Sequence, residues 1–214
     1  MTDLESNPYA QPKPLGEDEP LAKGKILLRT GLLCLAFATA GSLFLLASSW
    51  YVSLTRTVIS GETRAMFRLL QYSTSFIQLV AIAQLWWSQR RLLSIVRAIA
   101  ANLTLLLAVC LSGIRFGLMG SNGTGFIVES LFLILLGYWL SQIAMSNLAR
   151  RLAICVMGLQ LLQLVASLER TVPFLPTSVV VVVAQMLAQA ILCCVAVQIF
   201  RQAGNHSRLV DSAS

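Results

Sequence analysis

The sequence predicts an all-α, polytopic integral membrane protein, a six-transmembrane-helix bundle with both termini in the cytoplasm. Three observations carry that prediction. Hydrophobic residues make up 57% of the 214 positions and charged residues only 12%, about half the charged share of an ordinary soluble domain. The apolar residues fall in blocks of about 17 to 25, the length that crosses a hydrocarbon core of about 30 Å. The basic residues gather at the ends of those blocks, as topology signals do. A soluble fold of this composition would need six helices apolar on all sides, with almost no solvated face to cover them.

Residues 1–25 come first and hold Pro8, Pro12, Pro14 and Pro20 with Asp3, Glu5, Glu17, Asp18 and Glu19. Such a stretch has too little apolar surface to offset ordering entropy, so a disordered, locally extended cytoplasmic tail is expected. The block after it is longer than a signal-peptide core, which argues for a signal-anchor. The tail's "SNPYAQP" resembles a short NPYxxP segment near the N-terminus of many bacterial membrane proteins of unassigned function. The resemblance covers seven residues and implies no activity.

Helices are expected near 27–50, 68–88, 96–116, 126–147, 150–168 and 177–200, making 26–200 one transmembrane domain with a short tail over 201–214. The fifth is the shortest and carries Gln160 and Gln163, so it is expected to be the weakest span. The longest connection, about 17 residues between the first two helices, leaves no room for a catalytic loop domain. Two turns look alike, "SQRRLL" and "LARRLA", about 60 residues apart. They read either as a trace of duplicated hairpins or as the ordinary basic bias of cytoplasmic helix ends.

Orientation follows from the basic residues. With the N-terminus inside, inner segments carry eleven lysines and arginines and outer segments five, so both termini belong in the cytoplasm. A bacterial inner membrane is the expected location. Trp50 and Tyr51 then close the first helix outside, and Trp86 and Trp87 close the second inside.

The residue inventory narrows the chemistry. Net charge +7 sits at segment ends rather than on a phosphate-binding face, so no nucleic acid is expected. The one histidine, His206, lies in the C-terminal tail, leaving no ligand set for haem or zinc. The five cysteines all fall in apolar segments without a C-x-x-C, as small packing residues do. Glu129 is the sole carboxylate within the expected helices, so neither a carboxylate pair nor a bridged metal site can form. No metal, cofactor or catalytic residue is expected. "GSNGTG" at 120–125 has no lysine after it and no strand before it, and reads as a turn between helices.

Polar residues inside the helices remain. Arg68, Gln71, Ser75 and Gln78 share one face of the second helix, Gln160, Gln163 and Ser167 one face of the fifth, and Ser178, Gln185 and Gln189 one face of the sixth. Facing lipid is costly for such groups, so the stripes are expected to turn inward. At a common depth they are placed to line a polar cavity open to the outside. The alternative is interhelical glue, with each bond worth about 1 kcal/mol. Gly137 and Ser141, Ala184 and Ala188, and Ala36 and Ala40 are small-residue pairs that let helices approach closely.

Arg115 and Glu129 fall at the outer ends of the third and fourth helices. They read as end anchors, with Arg115 extended toward headgroups and Glu129 in the first turn of its helix, where the dipole favours a carboxylate. They are expected to pair across the hairpin, or to form with Arg68 the rim of the outward cavity.

Two functional readings follow. The leading one is a non-enzymatic structural or regulatory subunit of a membrane complex, hetero- or homo-oligomeric. The other is a transporter or a membrane-embedded small-molecule-binding component. "AFATA" at 36–40 resembles the alanine spacing with which the six-helix binding components of vitamin importers dock, and that resemblance implies a similar role. An intramembrane enzyme using Glu129 as base lacks a histidine or a second acid to support it.

Overall fold

The computed structural model describes residues 18–55, 60–90, 93–117, 124–144, 146–168 and 177–211. Six helices account for nearly all of them: α1 Asp18–Thr55, α2 Gly61–Gln89, α3 Ile95–Arg115, α4 Thr124–Ile143, α5 Asn147–Leu168 and α6 Thr177–Asp211. Each consecutive pair packs together, and α6 returns against α1 to close the circuit. The all-α membrane bundle is therefore present, with no strand among the described residues.

The register shows antiparallel neighbours. On α1 and α2, Gly41 faces Thr74 while Gly31 faces Ala81 and Leu85. On α2 and α3, Ser75 meets Arg115 while Trp86 donates from Nε1 to Asn102 Oδ1 at 2.9 Å. On α1 and α6, the Cys193 thiol donates to the Ala36 carbonyl at 3.6 Å and Arg29 lies 5.3 Å over the Phe200 ring. The start of α1 and the end of α6 thus share one end of the bundle. The ends of α1, α3 and α5 and the starts of α2, α4 and α6 lie at the other, distal end.

Several helices run longer than the sequence implies, and the local chemistry explains why. α1 begins at Asp18, inside the stretch expected to be disordered. Acidic residues favour a helix N-terminus and proline is tolerated in the first turn, so Asp18, Glu19 and Pro20 do not obstruct it. Residues 1–17, the rest of that tail, lie outside the described residues. α2 starts at Gly61, not near 68. Ser60 caps it by accepting the Thr63 N–H at 3.3 Å, with Glu62 in the first turn, which shortens the expected 17-residue connection. α5 starts at Asn147 because Ser146 Oγ accepts the Ala149 N–H at 3.1 Å. The "ARR" of the expected turn is therefore helical. α6 continues to Asp211, through most of the segment expected to be a tail.

Five helices carry stretches long and apolar enough to cross a membrane: Lys23–Thr55, Ile95–Arg115, Gly125–Ile143, Asn147–Val165 and Val181–Ala203. The fifth helix, expected to be the weakest span, is among them. The one that falls short is α2. Its first turns carry Glu62, Arg64 and Arg68, and Ser75, Gln78 and Gln84 follow. At 29 residues it is nonetheless long enough, about 43 Å, and it packs between α1 and α3.

The core gathers round α4, where Phe132, Leu133, Leu136, Trp139 and Leu140 are completely buried. A helix apolar on all sides belongs inside. Gly137 lets α5 approach: a Cβ there would stand 3.0 Å from the Ala153 carbonyl oxygen. Large apolar side chains such as Phe37, Phe44, Leu106, Leu161 and Leu187 point outward. That outward belt is what a bilayer solvates, so the chain is an integral membrane protein.

Candidate functional site

The site is assembled from the end of α3. Phe116 leaves the helix at φ −77°, ψ 0°, with its N–H on the Ser112 carbonyl at 2.9 Å. Gly117 follows at φ +80°, where glycine has no Cβ to clash. The Phe116 ring stacks on Tyr72 of α2, with centroids 4.7 Å apart and planes at 17°. That stack holds the end of α3 against α2. The Arg115 side chain, which leans toward the N-terminus of its helix, then drops into the bundle.

Inside, Arg115 ties three helices together. Nη1 donates to Ser75 Oγ at 2.8 Å, and Nη2 donates to Glu129 Oε1 at 3.4 Å. A fourth helix joins through Gln189, whose Nε2 donates to the same Oε1 at 3.5 Å. Ser75 Oγ in turn donates to the Gln71 carbonyl at 2.8 Å, leaving its lone pairs for the guanidinium. The two charged side chains are 12% and 14% exposed. Ser75 stands level with the last turn of α3, so the guanidinium turns into the bundle near its distal end.

This placement differs from the expected anchors. The pairing across the hairpin is present, but Arg115 points inward rather than to headgroups, because Ser75 and Glu129 offer acceptors that lipid tails do not. Glu129 lies in the second turn of α4, since that helix begins at Thr124, and the dipole effect has largely faded there. Its carboxylate is held by neighbouring donors instead. Both bonds to Oε1 are long, and Oε2 has no hydrogen bond among the described residues. One positive and one negative group leave the network neutral.

The other polar residues divide between interior and surface. Gln78, Gln160, Gln163, Gln185 and Gln189 are buried, as are Thr74 and Ser75. Neither amide atom of Gln160 or Gln185 has a hydrogen-bond partner among the described residues, nor has Gln189 Oε1. Gln185 stands one helical turn from Gln189 on the same face of α6. Arg68 and Gln71 are exposed, so the stripe on α2 turns inward only from its middle onward. Gln71 contributes its carbonyl alone. The side chains of Ser167 and Ser178 lie outside the described residues.

Arg68 is not joined to Arg115 and Glu129 as a rim. It lines a recess of about 270 Å³ on the outside of α1 and α2, with Ser49, Val52, Arg64 and Phe67. The spacing of four between Arg64 and Arg68 places both on one face of α2. Among the described residues no group of three histidine, cysteine or acidic side chains could hold a metal ion. Comparison with protein-family models, with curated proteins and with solved structures found no match to this chain.

Proposed function

We propose that this chain is a non-enzymatic binding or transport component of a bacterial inner membrane, with both termini cytoplasmic, that takes a small polar solute at the Arg115–Glu129–Gln189 network. The supporting observation is a pair of buried glutamines, Gln185 one turn from Gln189 on α6 and Gln160 on α5. Gln160 and Gln185 are buried with both ends of their amides unpartnered among the described residues, and buried polar groups are ordinarily bonded. A solute with both donors and acceptors satisfies them. Because the charge pair sums to zero, a solute neutral overall leaves no uncompensated charge inside the bundle.

The subunit reading draws on small-residue faces, and most of these are occupied within the chain. Gly137 packs on Ala153 and Met157, while Ser141, Ala184 and Ala188 are buried. One such face remains outside, at Ala40 between Phe37 and Phe44 of α1, and it is the surface a membrane partner would use.

Purification in mild detergent, followed by extraction and mass spectrometry, tests the proposal together with a thermal-shift screen of neutral polar solutes. A bound solute is expected, with affinity lowered about tenfold or more by Gln189→Leu, which removes a hydrogen-bonding group from the network. No retained solute and no hit in the screen, with a stoichiometric membrane protein copurifying instead, would turn the assignment to the subunit reading.

A further inference from the structure

We infer that the recess at the distal rim of α1 and α2 binds the phosphate headgroup of an anionic phospholipid. Arg64 and Arg68 stand one turn apart on α2, about 6 Å along one face. With Ser49 and Val52 of α1 and Phe67 of α2 they line a cavity of about 270 Å³. Both are exposed, and neither guanidinium pairs with a carboxylate among the described residues. Glu62, the nearest acid on α2, is two residues from Arg64 and therefore on another face of the helix. Two free planar forks side by side match the oxygens of one phosphate, which arginine holds through paired N–H donors.

Depth sets the ligand class. Tyr72 of α2 stacks on Phe116, one residue past the apolar span Ile95–Arg115 of α3, a length that crosses the hydrocarbon core. Arg68 lies about 6 Å and Arg64 about 12 Å beyond Tyr72 along the α2 axis, and helical side chains lean toward the N-terminus. Both charged heads therefore meet at headgroup level. Met66 and Leu69 on the same turns are 72% and 70% exposed, ready to lie along acyl chains. Val52 and Phe67 add apolar wall inside the recess. A free phosphate ion would use the arginines and leave these surfaces uncovered; a phospholipid uses both.

Native mass spectrometry of the full chain, titrated in detergent with phosphatidylglycerol or phosphatidylcholine, tests this. Preferential retention of phosphatidylglycerol is expected, falling about tenfold in R64Q/R68Q, whose circular dichroism is expected to match that of the natural chain. Equal retention of the two lipids, or retention unchanged in that variant, overturns the site. A parallel arm adds inorganic phosphate to lipid-depleted protein. An arginine-dependent rise in unfolding temperature there assigns the recess to a soluble phosphate and overturns the lipid. Should R64Q/R68Q fail to fold, R64K/R68K keeps the charges without the fork and is expected to lose about threefold. No loss in that variant overturns the site equally.

Discussion

Two groups of arginines near the same end of this bundle meet opposite fates. Arg115 is drawn inside, where a serine, a carboxylate and, through that carboxylate, a glutamine on three other helices account for its charge. Arg64 and Arg68 stay outside on α2, without carboxylate partners among the described residues. The residue type is the same, although Arg115 closes an apolar span and Arg64 and Arg68 lie in the more polar first turns of α2. What differs is whether acceptors from neighbouring helices converge on the guanidinium. A buried charge requires such convergence, since desolvation costs several kcal/mol per ion; a charge at the rim has water and headgroups instead.

The sharpest way to break this contrast is to strand the inner arginine. Glu129→Leu leaves Arg115 buried without its counter-charge and is expected to lower stability by about 3–5 kcal/mol, read by reversible unfolding in detergent. Adding Arg115→Met in the same chain should recover most of that loss, because a neutral pair has no stranded charge. A single variant that unfolds no more readily than R64Q/R68Q would show the two regions to be equivalent. The swap Arg115→Glu with Glu129→Arg refines the point. It restores the pair but moves the guanidinium away from Ser75, so folding is expected to return without solute binding.

A smaller effect is expected at Ser75. Ser75→Ala removes the acceptor for Arg115 Nη1 while leaving the ion pair. The loss should be about 1.5 kcal/mol, near the top of the range for interhelical bonds because the donor is charged. A loss indistinguishable from zero in the same unfolding assay would mean that Glu129 alone holds the guanidinium.

Smaller still, Gly41→Ala presses on the neighbouring residue of α2. The new Cβ would stand 2.5 Å from Thr74 Cγ2, and Thr74 is tied by its hydroxyl to the Leu70 and Gln71 carbonyls. A cost of about 1 kcal/mol is expected, with Thr74→Ser as rescue because serine lacks the crowded methyl. Failure of that rescue would place the crowding elsewhere on the α1–α2 contact.

Much of the architecture was legible because membrane solvation leaves strong marks on composition. The apolar blocks of α1, α3, α4, α5 and α6 gave their own positions. Helix ends were harder, since Ser60 and Ser146 act as caps only through local geometry that a hydropathy block does not contain. α2 was legible as a helix but falls short as an apolar span. Its buried Ser75 and Gln78 lower its apolar content, yet Ser75 is the group that receives Arg115 of α3. The candidate network was legible as residue types on helix faces. Its partners were not, because the successive members Ser75, Arg115, Glu129 and Gln189 lie 14 to 60 residues apart along the chain and no local period connects them.

By itself the sequence determined the solvent of this protein, its helical class, its short connections and the supply of polar groups available inside it. Those follow from hydropathy and spacing, which act locally. Only the tertiary structure decided which charges face inward. That choice rests on whether acceptors from several helices converge on one point, as they do around Arg115 and do not around Arg64 and Arg68.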